Sequence, residues 1–284
     1  MFLDKYKKYK NKYINFKKTS FKEVMSRQTS QINNNSIIMK GGNNDKEIYF
    51  IRHGKTIWNE LGKTQGQEAD IELNEEGIKQ SELTGKYLKK FRLNEEEFDC
   101  VLSSPLKRCK KTANIICSHI KYNKKNIIYM DEILEVKKGS MSGLTNEDEL
   151  MKNLNQLAKD KLKSIQDPIK KYKIELPIYN YKFFNKIVED NSLLIEGVET
   201  YEELLDRAEY LIEYIKTTDK QKILVITHSG YLDILLKIMF NLSVLPQGNM
   251  SNGKNCSICY CTYKNNIFTM CSPPNTEHLS IDLN

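Results

Sequence analysis

The chain has no apolar run long enough to span a membrane; nowhere do 18 consecutive apolar residues occur in its 284. Its opening residues lead into lysines and not into an apolar core, so a secretory leader is not expected. Seven cysteines, an odd number, do not make a disulfide framework. Of these, Cys256, Cys259 and Cys261 read as positions on one strand, and Cys100 and Cys117 as members of apolar faces. No second ligand pair accompanies them, which excludes a zinc module by spacing. A reducing, intracellular and most simply cytoplasmic setting follows. Histidine is scarce too, at four residues, and the stretch from 145 to 194 contains no arginine.

The net charge of +7 is unevenly held. Residues 1 to 40 carry ten Lys/Arg against two Asp/Glu, while the remainder carries 34 against 35. The excess therefore belongs to an N-terminal arm, here bounded at residues 1–45. Within it Tyr6, Tyr9, Tyr13 and Phe16 step at helical spacing between lysines. Such a helix, over residues 1–20, could lie on an anionic membrane or on nucleic acid. A solvated helix, or one packed on its own domain, is the plainer reading, followed by a polar linker near Gln28 to Asn35.

From residue 46 to 284 strand and helix signals alternate, which predicts a three-layer α/β/α domain with a mostly parallel central sheet. Strands are expected at 47–51, 98–102, 127–130 and 223–227, with helices at 74–91, 105–120 and 230–241. A capping box at Thr200 and Glu203 opens another helix. Strands 256–263 and 266–271 read as a hairpin around Asn265-Asn266. The lysine-rich stretch 145–194, holding Pro168 and Pro177, breaks the rhythm and reads as a helical cap or lid insertion.

Three expected strands end in residues suited to phosphate. Arg52-His53-Gly54 follows the run Ile48–Ile51, placing a cation and an imidazole where ligands bind in open α/β sheets. Gly54 is expected to let a ligand approach the backbone. Asn59, Gln65 and Gly66 follow in a loop-like stretch that could reach the same group. After the second strand, Ser103-Ser104-Pro105-Leu106-Lys107-Arg108 places Pro105 in the first turn of a helix and Arg108 about one turn in, near an anion-favouring N-terminus. His228 closes the strand Ile223–Thr227 and is followed by Ser229-Gly230. His119 and His278 read as structural or exposed.

Taken together these segments resemble the histidine phosphatase superfamily, also called phosphoglycerate-mutase-like, over residues of about 47 to 263. The resemblance rests on Arg52-His53-Gly54-x-Thr56-x-x-Asn59, Ser103-Ser104-Pro105-Leu106-x-Arg108-x-x-x-Thr112-Ala113 and Leu134-Glu135-x-x-x-Gly139-x-x-x-Gly143. Glu199-Thr200 with Arg207, Thr227-His228-x-Gly230 and Asn255-x-Ser257 complete it. It implies that His53 is a nucleophile forming a phosphohistidine, that Arg52, Arg108, His228 and Asn59 hold the phosphate, and that Glu135 exchanges the proton. Asp131 and Glu132 are rivals to Glu135 by composition. Chemistry without metal or organic cofactor is implied, on a small phosphorylated substrate or a phosphoprotein. Nothing in the sequence marks an oligomeric state. Lys55 and Ser142 depart from the family pattern. The resemblance supports phosphatase or mutase; an insertion without arginine favours hydrolysis, with a catalytically idle phosphate-binding module as a third class.

Overall fold

The computed structural model describes residues 45–91, 97–153, 156, 197–240, 250–251 and 253–281. All belong to the larger of the chain's two units, Asn44–Asn284. The basic arm with its tyrosine-lysine spacing and most of the insertion lie outside the described residues.

Six strands form one sheet: β1 Lys46–Arg52, β2 Cys100–Ser103, β3 Ile128–Tyr129, β4 Lys222–Thr227, β5 Ile258–Lys264 and β6 Ile267–Asn275. Their order is β3-β2-β4-β1-β5-β6. The first four in that order run parallel. β5 is antiparallel to β1, and β6 to β5, so the expected hairpin extends one edge of a mostly parallel sheet.

Packing explains why the central strands are apolar throughout. Ile48 and Phe50 of β1, Ile223 and Val225 of β4, and Cys100 and Leu102 of β2 join one core. Their alternates Tyr49, Ile51, Leu224, Ile226 and Val101 join another, as the two-residue strand period requires. The first core is covered by α4 (Tyr201–Thr217) and α5 (Ser229–Met239) through Ala208, Leu211, Ile215, Leu232 and Leu235. The second is covered by α2 (Glu75–Phe91) and α3 (Lys107–His119) through Leu88, Ala113 and Ile116. A short α1 (Ile57–Glu60) precedes them. The three-layer architecture is thus as expected, including the Thr200/Glu203 capping box that starts α4.

Boundaries differ in instructive places. α3 begins at Lys107, with Leu106 extended at the N-cap, so Pro105 lies in the turn before the helix and Arg108 is its second residue. The Leu106 amide donates to Ser104 Oγ at 3.4 Å across that turn. β2 runs from 100 to 103, later than expected; Phe98 precedes it, edge-on to Tyr49 with ring centroids 5.4 Å apart. Cys256 lies outside β5 at φ 54°, where its amide donates to the carbonyls of Arg52 and His53. At the hairpin, Asn265 and Asn266 take φ of 50° and 62°, the positive values of a primed two-residue turn.

Candidate active site

Parallel alignment of β2, β4 and β1 brings their carboxyl ends to one rim. The His53 amide donates to Thr227 O at 3.0 Å and the Ser104 amide to Ile226 O at 3.0 Å, locking the three strand exits together. His53 and His228 face each other there, ring centroids 5.2 Å apart and planes at 61°. Both are buried.

Their partners assign the ring protons. His53 Nδ1 lies 2.8 Å from Gly54 O, and a carbonyl only accepts, so the hydrogen is on Nδ1 and Nε2 keeps its lone pair. His228 is the opposite tautomer: Nδ1 accepts from Arg108 Nε at 3.3 Å, leaving Nε2–H to donate to Ser104 Oγ at 2.8 Å. Burial holds both imidazoles well below the ordinary pKa of 6.5, and the Arg108 and Arg52 charges push the same way. Both rings are therefore neutral at physiological pH.

Arg108 is fully buried. Beyond His228 it donates to Ala69 O at 3.0 Å and Gly66 O at 3.1 Å, so three of its five N–H groups are engaged among the described residues. Arg52 donates from Nη1 to Gly253 O, while its buried Nε has no partner. Gln65 accepts at Oε1 from Thr56 Oγ1 at 3.1 Å, and its buried Nε2 is likewise unpartnered. A buried guanidinium costs much to keep dry without a counter-charge. Two of them with unused donors beside neutral imidazoles make a site that favours an anion.

Glu135 is buried, unlike Asp131, which is exposed, and Glu132, which is partly so. Its Oε1 accepts the amides of Val136 and Tyr231, each at 2.9 Å, and its Oε2 the Gly230 amide at 3.3 Å. The carboxylate thus caps the positive N-terminal turn of α5. A Cβ on Gly230 would meet Oε1 at 2.6 Å, which accounts for glycine there.

The remaining expected contacts are placed variously. Asn59 Oδ1 serves the α1 capping box, accepting from Thr56, and also accepts from Asn255 Nδ2 at 3.0 Å. Gly66 offers its carbonyl to Arg108 Nη2 at 3.1 Å. Ser229 Oγ lies 2.6 Å from Ser251 Oγ. At Gly54 packing gives a reason for glycine that the sequence did not: a Cβ there would meet Gly77 O of α2 at 2.4 Å. The Gly54 amide is itself used by Thr112 Oγ1 at 3.0 Å. Of the other histidines, His278 is buried against Thr84 and His119 packs its ring over Gly85. Sequence reasoning gave no role to Asn255, whose Nδ2 ties the His53 carbonyl at 3.1 Å. Nor did it single out Cys109, with Sγ 3.4 Å from His228 Nε2, for which sequence offers no signal. Among the described residues no three His, Cys, Asp or Glu side chains converge as a metal site, and no helix is long and apolar enough to cross a membrane.

The family model described as histidine phosphatase superfamily (branch 1) matches residues 48–173 and 179–273. The uncharacterized phosphatase PhoE of Bacillus subtilis is 38% identical over 101 residues, 36% of this chain and 48% of that protein. A metal-independent phosphoserine phosphatase of Arabidopsis thaliana is 31% identical over 188 residues, 66% of this chain and 65% of that protein. The chain thus spans about half of the first relative and just under two thirds of the second. A phosphoglycerate mutase from Bacillus anthracis shares the fold at a TM-score of 0.61 and 21% identity, covering 84% of this chain and 96% of that one. So does a phosphoserine phosphatase mutant from Entamoeba histolytica in complex with phosphoserine, at 0.57 and 22%, covering 82% and 99%.

Proposed function

This chain belongs to the histidine phosphatase superfamily, and from that premise we propose that it is a phosphomonoester hydrolase working through a phosphohistidine on His53. The observation that carries the reading is the His53 tautomer, Nδ1–H on Gly54 O, which leaves the Nε2 lone pair as the nucleophile. Nε2 attacks phosphorus, the P–O bond to the substrate breaks, and the leaving alkoxide takes a proton from Glu135. Water then attacks the phosphoenzyme, Glu135 accepts its proton, and phosphate departs with His53 restored. Arg52 and Arg108 hold the non-bridging oxygens by bidentate, permanently charged donors. His228 steadies Arg108 through Nδ1 and has Nε2–H to turn from Ser104 toward the phosphate. Gln65 Nε2 and Arg52 Nε, both buried without partners, supply further donors. Asn59 acts more remotely, by shaping the loop that carries Gln65.

The superfamily supports hydrolysis or mutase transfer. An insertion at 145–194 lacking arginine favours hydrolysis, since lysines there offer point charges without a fork for a substrate carboxylate. Both phosphatases and phosphoglycerate mutases stand among the relatives, and small phosphorylated metabolites are the substrate class to screen. The test is release of phosphate from p-nitrophenyl phosphate and a metabolite panel in chelator, parent against His53→Ala. Hydrolysis lost in the variant is expected. Isomerisation of 3-phosphoglycerate after priming, without hydrolysis, would make the protein a mutase; silence in both assays would leave a phosphate-binding module.

A further inference from the structure

We propose that Arg207, clamped on Glu199, is the positioning residue for the proton-transferring carboxylate of Glu135; this rests on the role given to Glu135 above. Arg207 reaches Glu199 in a fork, Nε to Oε1 at 2.7 Å and Nη2 to Oε2 at 2.8 Å. The pair is nearly dry, with 13% and 6% of the side chains exposed. Its remaining contacts converge on one residue that it never touches. Nη1 donates to Glu132 O at 2.8 Å and Leu134 O at 3.0 Å, on the chain entering Glu135. Glu199 Oε2 accepts the Lys137 amide at 3.2 Å, on the chain leaving it. A bridge between Lys138 and Val198 extends that grip.

The opposite side of the carboxylate is tied to the same guanidinium. Arg207 lies over the Tyr231 ring at 4.7 Å, and the Tyr231 hydroxyl donates to Arg207 O at 3.3 Å. The Tyr231 amide is one of the donors that fix Glu135 Oε1. Backbone before Glu135, backbone after it and the α5 turn that aims it are thus joined through one planar cation. A lysine cannot reproduce this, because one ammonium cannot span a carboxylate and two carbonyls in fixed directions. Small displacements of a proton donor are costly, on the order of a hundredfold per ångström.

The test compares kcat/KM for p-nitrophenyl phosphate and phenyl phosphate, esters alike in shape whose leaving groups differ in their need for a proton. Glu135→Gln sets the benchmark by raising the ratio of the two. Arg207→Lys and the near-isosteric Glu199→Gln are expected to raise that ratio about tenfold, with Arg207→Lys adding little in the Glu135→Gln background. Equal losses on both esters, or an effect additive with Glu135→Gln, would overturn the proposal. Should the parent hydrolyse neither these esters nor any member of the metabolite panel, the hydrolase reading fails by itself. A crystal structure of Arg207→Lys still decides the positioning claim: Glu135 released from the Tyr231 amide supports it, and Glu135 unmoved overturns it.

Discussion

Gly54→Ala separates two reasons for a glycine beside His53. An added Cβ would lie 2.4 Å from Gly77 O, 2.9 Å from Ser81 Oγ and 3.0 Å from Gly77 C. Two of these are backbone atoms of α2 that cannot rotate away, so relief requires the strand exit and helix to part by about 1 Å. Overpacking of this kind costs about 1–3 kcal/mol, or about 2–12 °C in melting temperature for a domain of this size. The activity cost is larger, because Gly54 O holds His53 Nδ1 at 2.8 Å and moves with it; a loss of about a hundredfold in kcat/KM is expected. Gly77→Ala presses on the same contact from the other side, its Cβ falling 2.1 Å from Lys55 O. The two variants should therefore behave alike in thermal melts and in kinetics. A Gly54→Ala protein with the parent's melting temperature and only weakened phosphate inhibition would refute the packing argument and restore ligand approach as the reason.

Histidine NMR should find opposite tautomers, Nδ1–H at His53 and Nε2–H at His228, with both rings uncharged at pH 6.5; a shared tautomer or a charged ring would contradict the hydrogen bonds that assign them. His278, lowered by burial to about 4 from the ordinary 6.5, makes the fold acid-sensitive. Its unfolded form binds the proton first, so stability falls as pH drops from 6.5 to about 4 and levels below, by about 3 kcal/mol in all. His278→Gln should flatten the denaturation-against-pH curve in that window by a similar amount; an unchanged slope would remove His278 as the cause.

Much of the fold was legible because its signals are local. Apolar runs at Ile48–Ile51 and Ile223–Ile226, a capping box at Thr200 and a pair of asparagines at the hairpin each specify an element through neighbours in sequence. Strand ends could be located, and with them the rim that gathers Arg52, His53 and His228. What escaped depends on contacts between distant segments. Gly54 is crowded by Gly77, and nothing near either residue announces the other. Asn255 reaches His53 O across a separation of 202 residues. Arg207 matched a motif together with Glu199, yet its other partners are backbone carbonyls at 132 and 134, which carry no side-chain identity to read. The start of α3 shifted for a similar reason: Pro105 fits a first helical turn, but the Ser104 hydroxyl, also bound to His228, fixes the turn ahead of it.

The position of β1 has a consequence for synthesis. Its sheet neighbours are β4 and β5, whose residues begin at Lys222 and Ile258, while β2, translated next, pairs elsewhere. As the chain leaves the ribosome, the strand that carries His53 waits with both edges open, on the order of ten to forty seconds at ordinary elongation rates. Its apolar run Ile48–Ile51 is exposed to collisions throughout that interval. A chain that already carries β5, not a shorter N-terminal fragment, is then the first species able to assemble the rim around His53, and slow or interrupted translation should yield aggregated chains before it yields folded ones.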